Sequence, residues 1–418
     1  MKYRTLINEI IKNNPPKPDL INEQHSADIF AAVDRLIDEG IGFEDIAFLE
    51  AELIPQNTAG QFIFALLVLK LAKSKLLSRD YQERLFISVV FAVYKENHRI
   101  LKNTEHPNGE DFLRRKVQQI NWLFGDKPNV RWELLVVDDG CPEGSGRIAQ
   151  QIIDKEGLQN YVRVLFLEDA IRMQLPPVKG LKSTADSMKG GSIVYGMWDA
   201  VLKHPDPNHI VVYTDADLST HLGQLMLLIE PLKQERMLSA IASRREHDSV
   251  VVKQGSRNDR GKLFIYLWKR LIPNLDNIID TQCGFKAFKG SIVPEIIDNM
   301  IERKFAFDIE LLLRTSLIKN DSVYKVPVAW IDSEAESTTT DLQPYLPMLK
   351  AIVQMHYTYI AAGDRNEFAD FIESLTEDEF NKLLQNIPKE ITGRDVQEFS
   401  TFDGVRAKDL RAAIEAVP

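Results

Sequence analysis

The sequence predicts an α/β protein built on a mainly parallel central sheet, with helical extensions at its N- and C-terminal ends. Two observations carry that prediction. Between about residues 81 and 340, short continuous apolar runs alternate with segments whose apolar residues recur at three and four spacing. Continuous apolarity marks strands covered on both faces, and strands alternating with helices mark βα units around a parallel sheet. Outside that region, in residues 1–80 and 341–418, only the helical spacing is found. A third observation concerns function: several of the predicted strands end in carboxylates, at the edge where open α/β sheets bind ligands.

Taken in order, the first extension contains HSADIFAAVDRLIDEG (25–40), stopped by Gly40, and TAGQFIFALLVLKLAKSKLL (58–77). The second has two readings, a helix packed on the main domain or peripheral contact with an anionic membrane through Lys70, Lys73 and Lys75. Strands are expected at 86–93, 132–140, 162–169, 209–217 and 238–244. Helices are expected at 111–125 and at 144–157, with Ser145 a candidate cap. A helix then covers 264–272, an irregular DTQCGFKAFKG spans 280–290, helices follow at 292–301 and 305–318, and a last strand runs over 324–332. The second extension reads as an amphipathic helix from Tyr345 and a helical pair joined near Thr376. Both extensions are assigned to packing or to contacts within a homo-oligomer.

Composition bounds the function. A chain of 418 residues with 44% hydrophobic and 27% charged content has the make-up of a soluble globular protein. The formal charge of −10 argues against general nucleic-acid binding. Cys141 and Cys283 are the two cysteines, with no CxxC and no His/Cys cluster, so neither a disulfide scaffold nor a structural zinc site is expected, and a reducing, cytoplasmic setting is. The start has no signal-peptide pattern, and the most apolar window, broken by Lys70, is too short to span a bilayer.

The chemistry centres on IVVYTDADLST (210–220), where an apolar strand runs into Asp215 and Asp217 about the small Ala216. Alternation along an extended chain points both carboxylates the same way, where they could share one divalent cation. The plainer alternative is that Asp217, Ser219 or Thr220 caps a following helix. The first strand runs into Tyr94, Lys95 and Glu96 and the second into Asp138, Asp139 and Gly140, so three strand ends bring acids to one edge. A cationic segment, Arg244, Arg245, Lys253, Arg257, Arg260 and Lys262, lies between the fifth strand and DTQCGFK and suits either a phosphorylated partner or a solvated loop.

In their order, SVVFAVYKEN, ELLVVDDGCPEGS, KGGSIVYGM, VVYTDADLST, DTQCGFKAF and FAFDIELL resemble the family 2 glycosyltransferases of the GT-A fold. The branch they are most similar to is that of dolichyl-phosphate glucosyltransferases and related polyprenyl-phosphate sugar transferases. The resemblance covers about residues 85–335. It implies a nucleoside diphosphate sugar as donor, UDP-glucose favoured, a divalent Mg or Mn ion, and inverting transfer of a hexose to a hydroxyl or phosphate. It gives Tyr94, Glu96, Asp138 and Asp139 to the nucleoside, Lys189 and Gly190 to the ribose and diphosphate, Asp215, Ala216 and Asp217 to the metal-binding DxD, and Asp280 or Asp308 to the catalytic base. It leads Arg245, Arg257 and Arg260 toward the acceptor. The chain departs from the family pattern at Ala92, Lys95, Cys141-Pro142 and Val194, and its 168–191 segment is long enough to form a lid over the donor. Two rivals stand beside this reading: a sugar-1-phosphate nucleotidyltransferase, against which no Gly-rich basic loop follows the first strand, and a non-catalytic nucleotide-sugar-binding scaffold.

Overall fold

The computed structural model describes residues 2–252, 258–332, 344–361 and 365–417. Its main sheet contains β1 (Leu85–Val93), β2 (Val130–Asp138), β3 (Val162–Phe166), β4 (His209–Thr214), β5 (Ser239–Ser243), β7 (Phe285–Lys289) and β8 (Val323–Pro327), in the order β3-β2-β1-β4-β7-β5-β8. A two-stranded sheet pairs β6 (Val250–Val252) with β9 (Ala329–Ile331). β1 lies parallel to both β2 and β4, and β7 runs antiparallel between β4 and β5. β1 and β4 are apolar on both faces because helices cover both, which is why their sequences do not alternate.

Register places the site. Val93 pairs with Asp138 and Val90 with Tyr213. The carboxyl ends of β1, β2 and β4 are therefore level, and Glu96, Asp138, Asp139, Asp215 and Asp217 gather along one edge. β4 itself stops at Thr214, so the two aspartates lie just beyond the extended backbone rather than on it.

Four expectations are corrected. Residues 280–290 are not wholly irregular: they contain β7, hidden because Lys286 and Lys289 interrupt its apolar run. The single strand expected at 324–332 is divided, because Pro327 lacks an N–H for the ladder and the chain changes sheets there. The third strand ends at Phe166, after which Leu167–Arg172 is helical. The helix expected at 292–301 is the short Val293–Ile297.

The N-terminal helices are Lys2–Asn13, Glu23–Asp38, Phe43–Leu53 and Ile63–Asp80. The last is buried nearly all round. Lys70 is paired with the buried Glu50 at 2.8 Å, and Lys75 donates to the Trp122 carbonyl, so this helix is a core element rather than a membrane-facing one. The C-terminal helix Tyr345–Tyr359 and those after it pack on Asn258–Leu271. Tyr266 OH donates to the Val405 carbonyl at 2.6 Å and Lys269 Nζ to Ser400 Oγ at 2.9 Å. Among the described residues, no helix is long and apolar enough to cross a membrane.

Candidate active site

The acids on this edge divide into those that shape the crevice and those left facing it. Asp138 shapes it: Oδ1 accepts the N–H groups of Gly140 and Cys141 at 3.0 and 2.9 Å, and Oδ2 that of Gly146 at 2.7 Å. It thereby ties the loop after β2 to the first turn of Ser145–Glu156, where the cap position is a left-handed Gly144. Ser145, the expected cap, instead accepts the Glu96 N–H at 2.9 Å. Asp139 reaches across to the next segment, accepting Lys189 N–H at 2.7 Å and Ser192 Oγ–H at 2.6 Å. Burial raises its pKa against these bonds.

Those contacts hold Lys189 at φ +84°, a conformation a lysine seldom adopts. Its Nζ is thereby brought onto Asp215 Oδ1. Burial opposes the charge, but Asp215 and Asp308 keep this lysine protonated beyond the usual range. Gly190 lies against the Arg303–Lys304 backbone, where a Cβ would come within 2.6 Å of the Lys304 carbonyl oxygen, so this position needs glycine.

Ala216 is buried in the core, which leaves Asp215 and Asp217 on the open side, with side chains 33% and 27% exposed. Burial works against ionisation of Asp215, yet Lys189 lowers its pKa. Asp217 is raised by burial and then by the Asp215 charge. Its Oδ1 accepts the Ser219 N–H at 3.0 Å, and its Oδ2 faces Arg99 Nη2 at 3.7 Å. Arg99 is buried and also binds Glu110 at 2.9 Å and Glu96 at 3.1 Å. Glu96 is pushed up to about 7 by burial, against the Arg99 charge. Tyr94 stands exposed at the end of β1.

The two candidates for the base differ. Asp280 is buried and gripped by Arg244, whose Nε and Nη2 each donate at 2.7 Å and whose backbone N–H donates at 2.8 Å. Burial opposes its ionisation, but the guanidinium lowers it to about 2, and such a carboxylate has little affinity for a proton. Asp308, in the first turn of Phe307–Ile318, accepts from Lys286 Nζ at 2.7 Å. Burial pushes Asp308 up to about 8 and Lys286 down to about 7, so around neutrality the pair holds one proton between them.

The cationic segment is dispersed. Arg244 is committed to Asp280, Lys262 Nζ donates to the Thr392 carbonyl at 2.5 Å, Arg245 is half-buried and Arg260 is exposed. Lys253 and Arg257 lie outside the described residues. The 168–191 segment is largely ordered into short helical turns, with Pro177 and Val178 buried.

Sequence reasoning passed over Arg99, Glu110, Lys116, Gly284 and Lys286. Gly284 could have been found from its place in DTQCGFK: a Cβ there would come within 2.3 Å of both Asp215 carboxylate oxygens. A buried lysine or arginine has no such signature in one sequence, since it reads like any surface charge.

No family model matches the chain. Among curated proteins it is 23% identical over 293 residues to the dolichyl-phosphate β-glucosyltransferase of Saccharomyces cerevisiae, an overlap of 66% of this chain and 76% of that protein. To the human protein of that name it is 25% identical over 247 residues, 57% of this chain and 68% of that one. Among solved structures, it is similar to glucosyl-3-phosphoglycerate synthase from Mycobacterium tuberculosis in complex with Mn2+, UDP and glucosyl-3-phosphoglycerate, with 17% identity, a TM-score of 0.44 and coverage of 68% of this chain and 83% of that one. The chain is a glycosyltransferase, related in sequence to the dolichyl-phosphate β-glucosyltransferases.

Proposed function

We propose that this glycosyltransferase moves glucose from a nucleoside diphosphate sugar, UDP-glucose favoured, to a hydroxyl or phosphate acceptor, with inversion and with a divalent cation. The observation that carries the proposal is the contact of Lys189 Nζ with Asp215 Oδ1, beside Asp217, at the carboxyl edge of the sheet. The names of the curated relatives specify a glucosyl group and dolichyl phosphate, which supports glucose and leaves a phosphorylated acceptor as the first to try.

The donor set fits a cation. Among the described residues no group of three His, Cys, Asp or Glu could hold a metal unaided. Mg and Mn are suited by one or two carboxylates with the remaining ligands from substrate phosphates and water. Asp215 Oδ2 takes no hydrogen bond from the described residues, and the mutual repulsion of Asp215 and Asp217 favours a shared positive charge. When bound, the cation would neutralise the departing diphosphate. Lys189 adds a fixed positive charge beside it. Asp308 is the better base for a hydroxyl acceptor, being able to take a proton near neutral pH, whereas a phosphate acceptor needs only positioning. Asp280 and Arg244 act in this reading as a rigid strut, and Arg245 and Arg260, with Arg257, as the acceptor's approach.

The test is release of nucleotide from UDP-glucose with and without Mn, followed by NMR of the first-formed product. Metal-dependent turnover with inversion is expected. Retention would remove the inverting mechanism, and formation of UTP and glucose-1-phosphate from UDP-glucose and added pyrophosphate would favour the nucleotidyltransferase instead.

A further inference from the structure

We infer that Lys116 is a positioning residue for the Asp217 turn, and that through it the N-terminal helical layer sets the geometry of the DxD. Lys116 lies on Phe112–Phe124 and is wholly buried. Its Nζ donates to the main-chain carbonyl of Asp217 at 2.7 Å. One turn along the same helix, Gln119 Oε1 accepts the Leu222 N–H at 2.8 Å. Positions three apart share a helix face, so one face of this helix clamps the turn at both ends, at Asp217 and at Leu222.

The same helix is held by the N-terminal layer. Arg115, the neighbour of Lys116, donates to the Leu20 carbonyl and to Ser26 Oγ, each at 2.9 Å, and to the Ile21 carbonyl at 2.5 Å. Trp122 Nε1 donates to Asp34 at 3.2 Å. Phe30 completes the connection, its ring 4.9 Å from that of Trp122 and 5.6 Å from that of His221, inside the clamped turn. Ser74 Oγ accepts the Met226 N–H at 3.3 Å, just beyond it. The first 80 residues therefore brace the DxD from behind.

A lysine in this place is costly if it only fills space. Burying an ammonium opposes folding, and an apolar side chain of similar length would pack as well. What methionine cannot supply is the donor to Asp217.

The consequence for the metal rests on the proposed function; the mechanical part does not, and the experiment separates them. In the full chain, Lys116→Met should leave the melting temperature near that of the parent while amide hydrogen exchange in residues 217–222 accelerates about tenfold or more, the factor expected for loss of a hydrogen bond from a charged donor. The apparent Mn constant measured with UDP should rise by a similar factor, with UDP binding in chelator unchanged. Unchanged exchange in 217–222 would overturn the inference, whatever happens to activity. If Lys116→Met does not fold, Gln119→Met releases the other end of the clamp and is expected to accelerate exchange at Leu222; no acceleration there would be equally decisive against it. A parent that neither binds Mn nor turns over UDP-glucose would remove the proposed function, and the exchange data would still decide the brace.

Discussion

Lys286 Nζ lies 2.7 Å from Asp308 Oδ1 with both side chains buried, and it also donates to the Cys283 carbonyl at 2.6 Å. One end of DTQCGFK thereby holds the carboxylate of FDIE, across 22 positions in the chain. The pair replaces two isolated buried charges, each of which would be unfavourable alone, by one shared proton.

A hydroxyl acceptor makes that proton visible. A base must be unprotonated to act, and burial has raised Asp308 to about 8, so kcat/KM should climb with pH through that region and flatten above it. Asp308→Asn should lower the rate by about 10²–10⁴-fold and abolish the climb. Replacing Lys286 by methionine removes the Nζ–H donor that favours the carboxylate, so the climb should move to higher pH. A pH profile flat between 6 and 9 with a hydroxyl acceptor, or an unimpaired Asp308→Asn enzyme, would show that Asp308 is not the base.

Asp217→Asn should keep the fold, since the residue lies past the end of β4, while removing metal-dependent donor binding and about three decades or more of rate. Circular dichroism and titration of UDP in manganese measure the two effects. Unaltered turnover would take the metal away from this aspartate.

Gly284→Ala tests the seating of Asp215. The added methyl would overlap that carboxylate, and overpacking of this kind costs about 1–3 kcal/mol. Donor affinity should fall at least tenfold, because the carboxylate is the mobile partner. Equal donor affinity in the alanine variant would mean that Asp215 has no part in donor binding as it stands.

Asp280→Asn should act on stability before chemistry. Removing one partner of a buried ion pair costs about 3–5 kcal/mol, and denaturant melts would record it. The folded carboxyl is depressed to about 2, so its contribution is present above the unfolded pKa of about 3.9 and is lost as pH falls through 2. The variant should therefore show a weaker loss of stability between pH 4 and 2 than the parent. Parallel acid melts would deny Asp280 this role.

The sheet was legible in the sequence because it is written locally. Continuous apolar runs such as Leu85–Val93 and His209–Thr214 can satisfy their burial only as central strands, and Asp215 with Asp217 announces a site by interrupting such a run. β7 escaped because the lysine that spoils its pattern is neutralised by Asp308, a partner no local window contains. The same reason separates the two candidate bases: Asp280 and Asp308 look alike in sequence, and only the fold gives one a bidentate arginine and the other a buried lysine. The role of the first 80 residues was likewise invisible, since helical periodicity shows that a face is buried and not what it is buried against. Local composition determined which segments became strands and which loops carry acids; tertiary structure decided their charge partners, because pKa and hydrogen-bond geometry depend on groups that are close in space and distant along the chain.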